Sequence, residues 1–335
     1  MSSVFLEALL PFFSQIFQHG EMPVHLLEQK KIENFGLIIK LQDEAAISSA
    51  SRVIQSLLKK KPETKIYVEE PAKLLLPKKL KKQLLSLSLN AMVKELNLIV
   101  VVGGDGTLLR CARYLLKSNA WKKCGLLGVN AGRVGFMASL STEEAQKKLP
   151  MILEKPKLLA IENRICLQVE ITKNKKVESH HVLNDVVLSK GSLSRIFEFQ
   201  VNINQEPLSL YRADGLIISP PSGSTAYNLA AGGSIVEPQI PAIQLTPIAP
   251  QSFSNKPILI SDQNRIQLSL RRHTTDIFLT LDGHTGIRID VKDGIEIQRS
   301  PKSVQFFIPR DELKTHFFHS LRQKLNWGIV PNSAT

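Results

Sequence analysis

Apolar positions along the chain change their period near residue 140. From about residue 34, unbroken apolar runs alternate with amphipathic stretches. Residues 34–41 (NFGLIIKL) read as a buried strand and residues 44–60 as an amphipathic helix. Residues 65–70 form a short strand. Residues 96–102 (LNLIVVV) form another, whose continuous apolar character suits burial on both faces. Leu108, Leu109, Ala112, Leu115 and Leu116 then recur at helical spacing, and residues 125–130 (GLLGVN) give the next strand. This alternation predicts an α/β domain, a parallel sheet flanked by helices. Residues 141–144 (STEE) have the Ser-x-x-Glu form of a capping box and open one more helix; Pro150 and Pro156 then punctuate the chain. Beyond them the period drops to two, in residues 165–172, 195–203, 264–270, 276–281 and 294–299. Short alternating strands separated by turn residues predict an antiparallel, β-rich second domain. Residues 311–328 close the chain as one amphipathic helix. The expected organisation is an extension (1–32), an α/β domain (33–140), a β-rich domain (141–308) and a C-terminal segment (309–335).

Composition narrows the class. An apolar fraction of 43% in 335 residues supports a sizeable core, without repeats or low-complexity tracts. Three scattered cysteines (Cys111, Cys124, Cys166) make neither a disulfide frame nor a metal cluster and favour a reducing compartment. The formal charge of +13 first points to nucleic acid. Its clusters, Lys59–Lys61 and Leu76–Lys82, lack interleaved aromatics, and aromatic residues are only 6% of the chain. A solvated surface that draws in small anions is the better reading, with no nucleic-acid partner. The first 20 residues are apolar, but Glu7 and Pro11 interrupt them and no basic start precedes them. They read as an extension, a candidate docking helix, on a soluble cytoplasmic protein without a membrane partner.

The chemistry centres on residues 97–117, NLIVVVGGDGTLLRCARYLLK. A glycine-rich loop between strand and helix turns backbone N–H groups toward an anion. Asp105 puts a negative charge in that loop. One reading is a tight turn in which Asp105 caps the helix after it. The other makes the carboxylate a general base, which must sit within hydrogen-bond reach of the hydroxyl it deprotonates and beside the donors that hold an incoming phosphoryl group. The spacing is neither that of a Walker A loop nor that of a dinucleotide-binding fingerprint.

Five ordered motifs beyond the glycine loop carry a resemblance. GGDGT is shared by NAD kinases, diacylglycerol and sphingosine kinases and, more loosely, phosphofructokinases. Residues 128–136 (GVNAGRVGF) look like the NAD kinase segment GVN-x-GR-x-GF, and residues 184–188 (NDVVL) like its Asn-Glu motif. Residues 212–233 (RADGLIISPPSGSTAYNLAAGG) are very similar to its Gly-Ser-Thr-Ala-Tyr signature. Residues 282–286 (DGHTG) and 325–328 (LNWG) fall where that family has an Asp-Gly-polar turn and a C-terminal Leu-x-Trp. From residue 33 to 328 the chain resembles the NAD kinase family.

That resemblance implies an α/β domain, a β-rich domain, and a C-terminal segment, with its helix, packing back on the first. The site would lie between the domains. It implies transfer of a phosphoryl group from ATP, or polyphosphate, to the adenosine-ribose 2′-hydroxyl of NAD. A divalent metal such as Mg²⁺ would accompany ATP, in a homo-oligomer (dimer or tetramer) whose neighbouring subunits help to build the NAD site. Asp105 matches the general base, with Gly106 beside it and Arg110 one turn on, facing phosphate or solvent. Asn184 and Asp185 match the pair that holds NAD's ribose and adenine side. Arg195, Arg212 and Asp214 match positions near the dinucleotide, with Asp214 as partner of the nicotinamide carboxamide. Thr225, Ala226 and Tyr227, with Asn228, Leu229 and Ala230 behind them, match the segment around the adenosine. Tyr227 there offers either a flat stacking surface or ordinary core. His284 stands where Gln is common. Other departures are Asp185 for Glu, Pro221 and Ser222 within the signature, Ala230 for Ser, and Gln251 for His. A lipid kinase of the diacylglycerol type would usually continue from GGDGT to a Gly-Thr-Gly-Asn-Asp segment, which is absent here. A non-catalytic NAD(H)- or NADP(H)-binding sensor would have no use for a carboxylate set against its ligand's phosphates.

Overall fold

Apolar runs without a polar position need cover on both faces, and the computed structural model shows what covers them. It describes residues 25–27, 31–118, 120–132, 135–191, 196–271, 276–313 and 315–326. Leu98–Val102 is wholly buried in a parallel array. Asn34–Ile39 and Gly125–Asn130 flank it, with Lys65–Val68 and Leu85–Ser86 beyond. Helices Glu44–Lys60 and Thr142–Glu154 cover one face through Ala50, Val53, Leu57, Leu149 and Ile152. Helices Leu89–Glu95 and Asp105–Lys117 cover the other through Met92, Leu108, Ala112 and Leu115.

The helix at Thr142–Glu154 opens with the expected capping box: Glu144 N–H donates to Ser141 Oγ at 3.2 Å, and Ser141 N–H to Glu144 Oε2 at 2.8 Å. Pro150 does not end it. A proline removes the N–H that would bond the carbonyl four residues back. Here Ser56 Oγ donates to that carbonyl, Gln146 O, at 3.2 Å, so the helix continues to Glu154.

The second half folds as antiparallel strands. Six of them, ordered Ile258–Ser261, Ala242–Ile248, Gly215–Ser219, Val186–Lys190, Ile277–Leu281 and Thr285–Ile289, make a separate sheet. Its inner face packs through Val186, Leu188, Leu216 and Ile218 against Leu167, Val169, Phe199 and Ile297 of the larger sheet. Two strands run longer than the sequence pattern predicts. Leu159–Lys173 and Gly294–Pro309 pair along nearly their whole lengths, with a register shift between Arg299 and Ser303 where Pro301 cannot donate to the ladder. Gly294–Pro309 joins the two halves. Its first part pairs with Ile266–Leu270, and Phe306 pairs with Leu126 of the parallel array.

The last helix spans His316–Leu325, shorter than predicted, and ends at Asn326 in the left-handed region. The Trp of the LNWG motif lies outside the described residues. This segment returns to the parallel array and its helices, which include Thr142–Glu154 beyond the expected boundary at 140: Lys148 bonds Asp311 at 3.0 Å and also Glu312, and Lys324 reaches Asp105. Residues 1–24, where the docking helix is expected, also lie outside the described residues. The next two residues, His25–Leu26, pair as a short strand with Ile161 and Ala160. No described helix is long and apolar enough to cross a membrane.

Candidate active site

The chain leaves strand Leu98–Val102 through Gly103 and enters the next helix at Asp105, with Gly104 as an extended N-cap that makes no side-chain cap bond. Asp105 does not cap its own helix. Its carboxylate crosses to the neighbouring loop, where Oδ2 accepts from Phe136 N–H at 3.0 Å and Oδ1 from Met137 N–H at 3.1 Å. Gly135 makes this approach possible, because a Cβ there would stand 2.2 Å from Asp105 Oδ1. A Cβ on Gly104 or Gly106 would meet nothing within 4 Å, so the glycine side of the loop faces open space beside a fixed carboxylate. Lys324 Nζ, from the last helix, approaches Oδ2 at 3.2 Å.

The gripping loop is itself held from behind. Arg164 Nε donates to Glu162 Oε1 at 2.6 Å, both side chains being almost fully buried. The same guanidinium lies 4.4 Å over the Phe306 ring and donates to Phe136 O at 3.4 Å.

Asn184 and Asp185 sit between strands Lys176–Val182 and Val186–Lys190. Asp282, in a left-handed turn, organises them: its carboxylate accepts from the backbone N–H groups of Leu183, Asn184 and Asp185 at 3.2, 2.7 and 3.3 Å. Asp185 is buried, and its carboxyl is pushed up to about 7, first by burial and then by the charge of Asp282. Burial raises Asp282 as well, against the three backbone donors that favour its charge. Asn184 Oδ1 is buried without a partner among the described residues.

The signature loop closes on this pair. Gly223 packs so tightly on Asn184 that a Cβ would stand 1.7 Å from its carbonyl oxygen. Residues Pro221–Thr225 form a 3₁₀ turn and Tyr227–Ala230 a single helical turn. Asn228 is fully buried, bonded to Gln244 at 2.7 Å and Thr246 at 2.5 Å, so its side chain fastens the loop to strand Ala242–Ile248. Thr225, Ala226 and Leu229 are half-buried, and Ala230 is exposed. Tyr227 is exposed rather than part of the core. His284 is exposed beside Asp282, on a cleft of about 670 Å³ whose lining includes Arg110, Arg113, His180, His181 and Lys302. Arg110 is not a free cation there, since Glu69 holds it by two bonds of 2.9 and 2.8 Å and raises its pKa.

Residues 35–157 match the sequence profile of the ATP-NAD kinase N-terminal domain, and residues 183–308 that of the C-terminal domain. The chain belongs to the NAD kinase family. A NAD kinase of Magnetococcus marinus is 36% identical over 305 residues, covering 89% of this chain and 94% of its own. One from Cellvibrio japonicus is 33% identical over 297 residues, covering 88% and 95%. The fold is that of solved relatives. Yeast NADH kinase in complex with NADH superposes with a TM-score of 0.81 at 22% identity, covering 94% of this chain and 95% of the other. A NAD kinase from Archaeoglobus fulgidus in complex with ATP gives 0.64 at 23%, covering 87% and 99%.

The Asn-Asp pair and the signature meet directly, through the packing of Gly223 on Asn184. Other expected residues do not join them within one chain. Asp214 pairs with Lys190 at 3.0 Å, and Arg212 with Glu198 at 3.2 Å. Both lie toward the far end of strand Val186–Lys190 from Asn184. Arg195 lies outside the described residues. Lys324, Asp282 and the Glu162–Arg164 pair were not singled out by sequence reasoning. Asp282 stood within the Asp-Gly-polar turn; the other two carried no local signal.

Proposed function

We propose that the chain transfers the γ-phosphoryl group of ATP to the 2′-hydroxyl of the adenosine ribose of NAD, with Asp105 as general base. The observation that carries this reading is the carboxylate fixed by Phe136 and Met137 N–H beside open space at a helix N-terminus. The 2′-hydroxyl proton passes to Asp105 as its oxygen attacks the γ-phosphorus. The bond from that phosphorus to the β–γ bridging oxygen breaks, and ADP leaves. Backbone N–H groups of the first helical turn favour the phosphate charge. Asn184 and Asp185 hold the ribose and adenine side, and the exposed Tyr227 ring offers a stacking face. Arg195, Arg212, Asp214 and His284 address the dinucleotide, with Arg212 and Asp214 supplied by a neighbouring subunit of a homo-oligomer.

No three His, Cys, Asp or Glu side chains converge as a metal cage among the described residues. Asp105 already answers two backbone N–H groups and an ammonium. These residues fit a divalent ion carried in on the nucleotide's own phosphate oxygens, as Mg²⁺ commonly is. Bound there, it would supply charge neutralisation.

The test is incubation with NAD, ATP and Mg²⁺ while following NADP, with polyphosphate and NADH substituted in parallel. Asp105→Asn should keep NAD affinity while kcat falls about 10²–10⁴-fold, the usual worth of a positioned base. Turnover within a few-fold of wild type would remove Asp105 from the chemistry.

A further inference from the structure

We propose that Lys324 is a second catalytic residue, its ammonium group meeting the phosphoryl group in transfer. The inference rests on the reading of Asp105 as the base. Lys324 Nζ lies 3.2 Å from Asp105 Oδ2. A base must stand about 2.6–3.2 Å from the hydroxyl it deprotonates, and the attacked phosphorus about 3–3.5 Å from that oxygen. The γ-phosphoryl oxygens therefore arrive within a few ångströms of the carboxylate, in the volume Lys324 already reaches.

Donor capacity agrees. An ammonium carries three N–H donors. One points to Asp105, and no other acceptor among the described residues takes the remaining two. The Phe136 ring lies beneath the cation, 4.5 Å from Nζ to its centroid. Phe136 thus positions both groups, its N–H holding the carboxylate and its ring the lysine.

Charge decides the role. Other cations near the loop are bound to carboxylates that take no part in the reaction: Arg110 to Glu69, and Lys40 to Asp43 at 2.9 Å. The partner of Lys324 is the reacting base itself. When Asp105 accepts the proton it becomes neutral, and Lys324 loses its counter-charge as negative charge shifts on the phosphoryl and leaving oxygens. Its attraction for those oxygens is then stronger in the transition state than in the ground state, which is the condition for catalysis. Lys324 keeps its own protons throughout, and the bonds made and broken are those already given.

The experiment uses the full chain with NAD, ATP and Mg²⁺, comparing wild type, Asp105→Asn and Lys324→Ala. Lys324→Ala should lower kcat about 10²–10³-fold while KM for NAD stays within about threefold. Its thermal unfolding should match wild type. Added ethylammonium should restore at least a tenth of the lost rate, whereas tetramethylammonium, which has no N–H to offer, should restore none. Turnover of Lys324→Ala within a few-fold of wild type would overturn the proposal. So would a rate above wild type, which would make the contact a lock on the base. A loss of rate with lowered stability and no ethylammonium rescue would leave Lys324 a structural role only and would equally overturn it. An inactive Asp105→Asn beside a normal Lys324→Ala fails this inference alone, and a near-normal Asp105→Asn fails the base reading first.

Discussion

Beside Asp282, which takes the nearby backbone donors for itself, Asp185 is buried. Its carboxyl, raised to about 7, is protonated in the folded chain at pH values where an unfolded Asp is ionised. Its contribution to stability is therefore complete below the ordinary value of 3.8 and is lost as pH rises toward 7. Ligand binding should run the other way. A ribose hydroxyl donates best to the ionised form, so NAD affinity should rise between pH 6 and pH 8. Calorimetric titration of NAD across that range should show the rise in wild type and a flat profile in Asp185→Asn. A flat wild-type profile, or the same slope in the variant, would detach Asp185 from the ligand. Asp185→Ala should weaken binding at pH 8 by about 1–3 kcal/mol, the cost of an unmatched hydrogen-bonding group. At this scale the sequence shows residue identities but not their partners. Asp105 was legible because glycines surround it. Lys324, 219 positions away, has a neighbour only once the last helix folds back. Asp282 acts through N–H groups of a strand end almost a hundred residues earlier, and backbone donors leave no trace in side-chain patterns.

Elements were legible where their own period sufficed. Glu44–Lys60 and Gly125–Asn130 have the predicted bounds, because amphipathic and fully apolar runs each permit one kind of burial. Gly294–Pro309 was seen only in its first six residues. Its second part trades one partner for another across the bulge at Pro301, and only the tertiary pairing holds that part as a strand. Pro150 misleads in the same way, since it marks a helix end unless another donor replaces its missing N–H. Ser56 is that donor, and this predicts a coupling. Ser56→Ala should destabilise the protein by about 0.5–1.5 kcal/mol, the net worth of one hydrogen bond. Pro150→Ala restores an N–H to Gln146 O, so Ser56→Ala should cost markedly less in the Pro150→Ala background. Urea unfolding of the two single variants and the double variant completes the cycle. Additive changes would show that the serine does not substitute for the missing bond.

The whole molecule raises the question of where one site ends. Strand Val186–Lys190 carries Asn184 and Asp185 at its start and the Lys190–Asp214 pair at its finish. Five residues of strand separate them by roughly 17 Å at about 3.3 Å per residue. Arg212 lies farther along, on Glu206–Ala213. On the proposed reading, Asp214 meets the nicotinamide end of a dinucleotide whose adenosine lies at Asn184 and Tyr227, and it comes from a neighbouring subunit. A symmetric dimer would then hold two composite sites, each with Asp105 from one chain and Asp214 from the other. Asp105→Asn and Asp214→Ala should each be poorly active alone, yet complement one another when co-expressed. With equal mixing, half of the dimers carry one copy of each variant. In such a dimer one site has lost both residues and the other is intact, so activity should recover to about a quarter of wild type. Purification through two different affinity tags would isolate the mixed dimers and raise that figure to about a half. A mixture no more active than the sum of its parts would mean that every site is built from one chain. Asp214 would then act only within its own chain, where it pairs with Lys190.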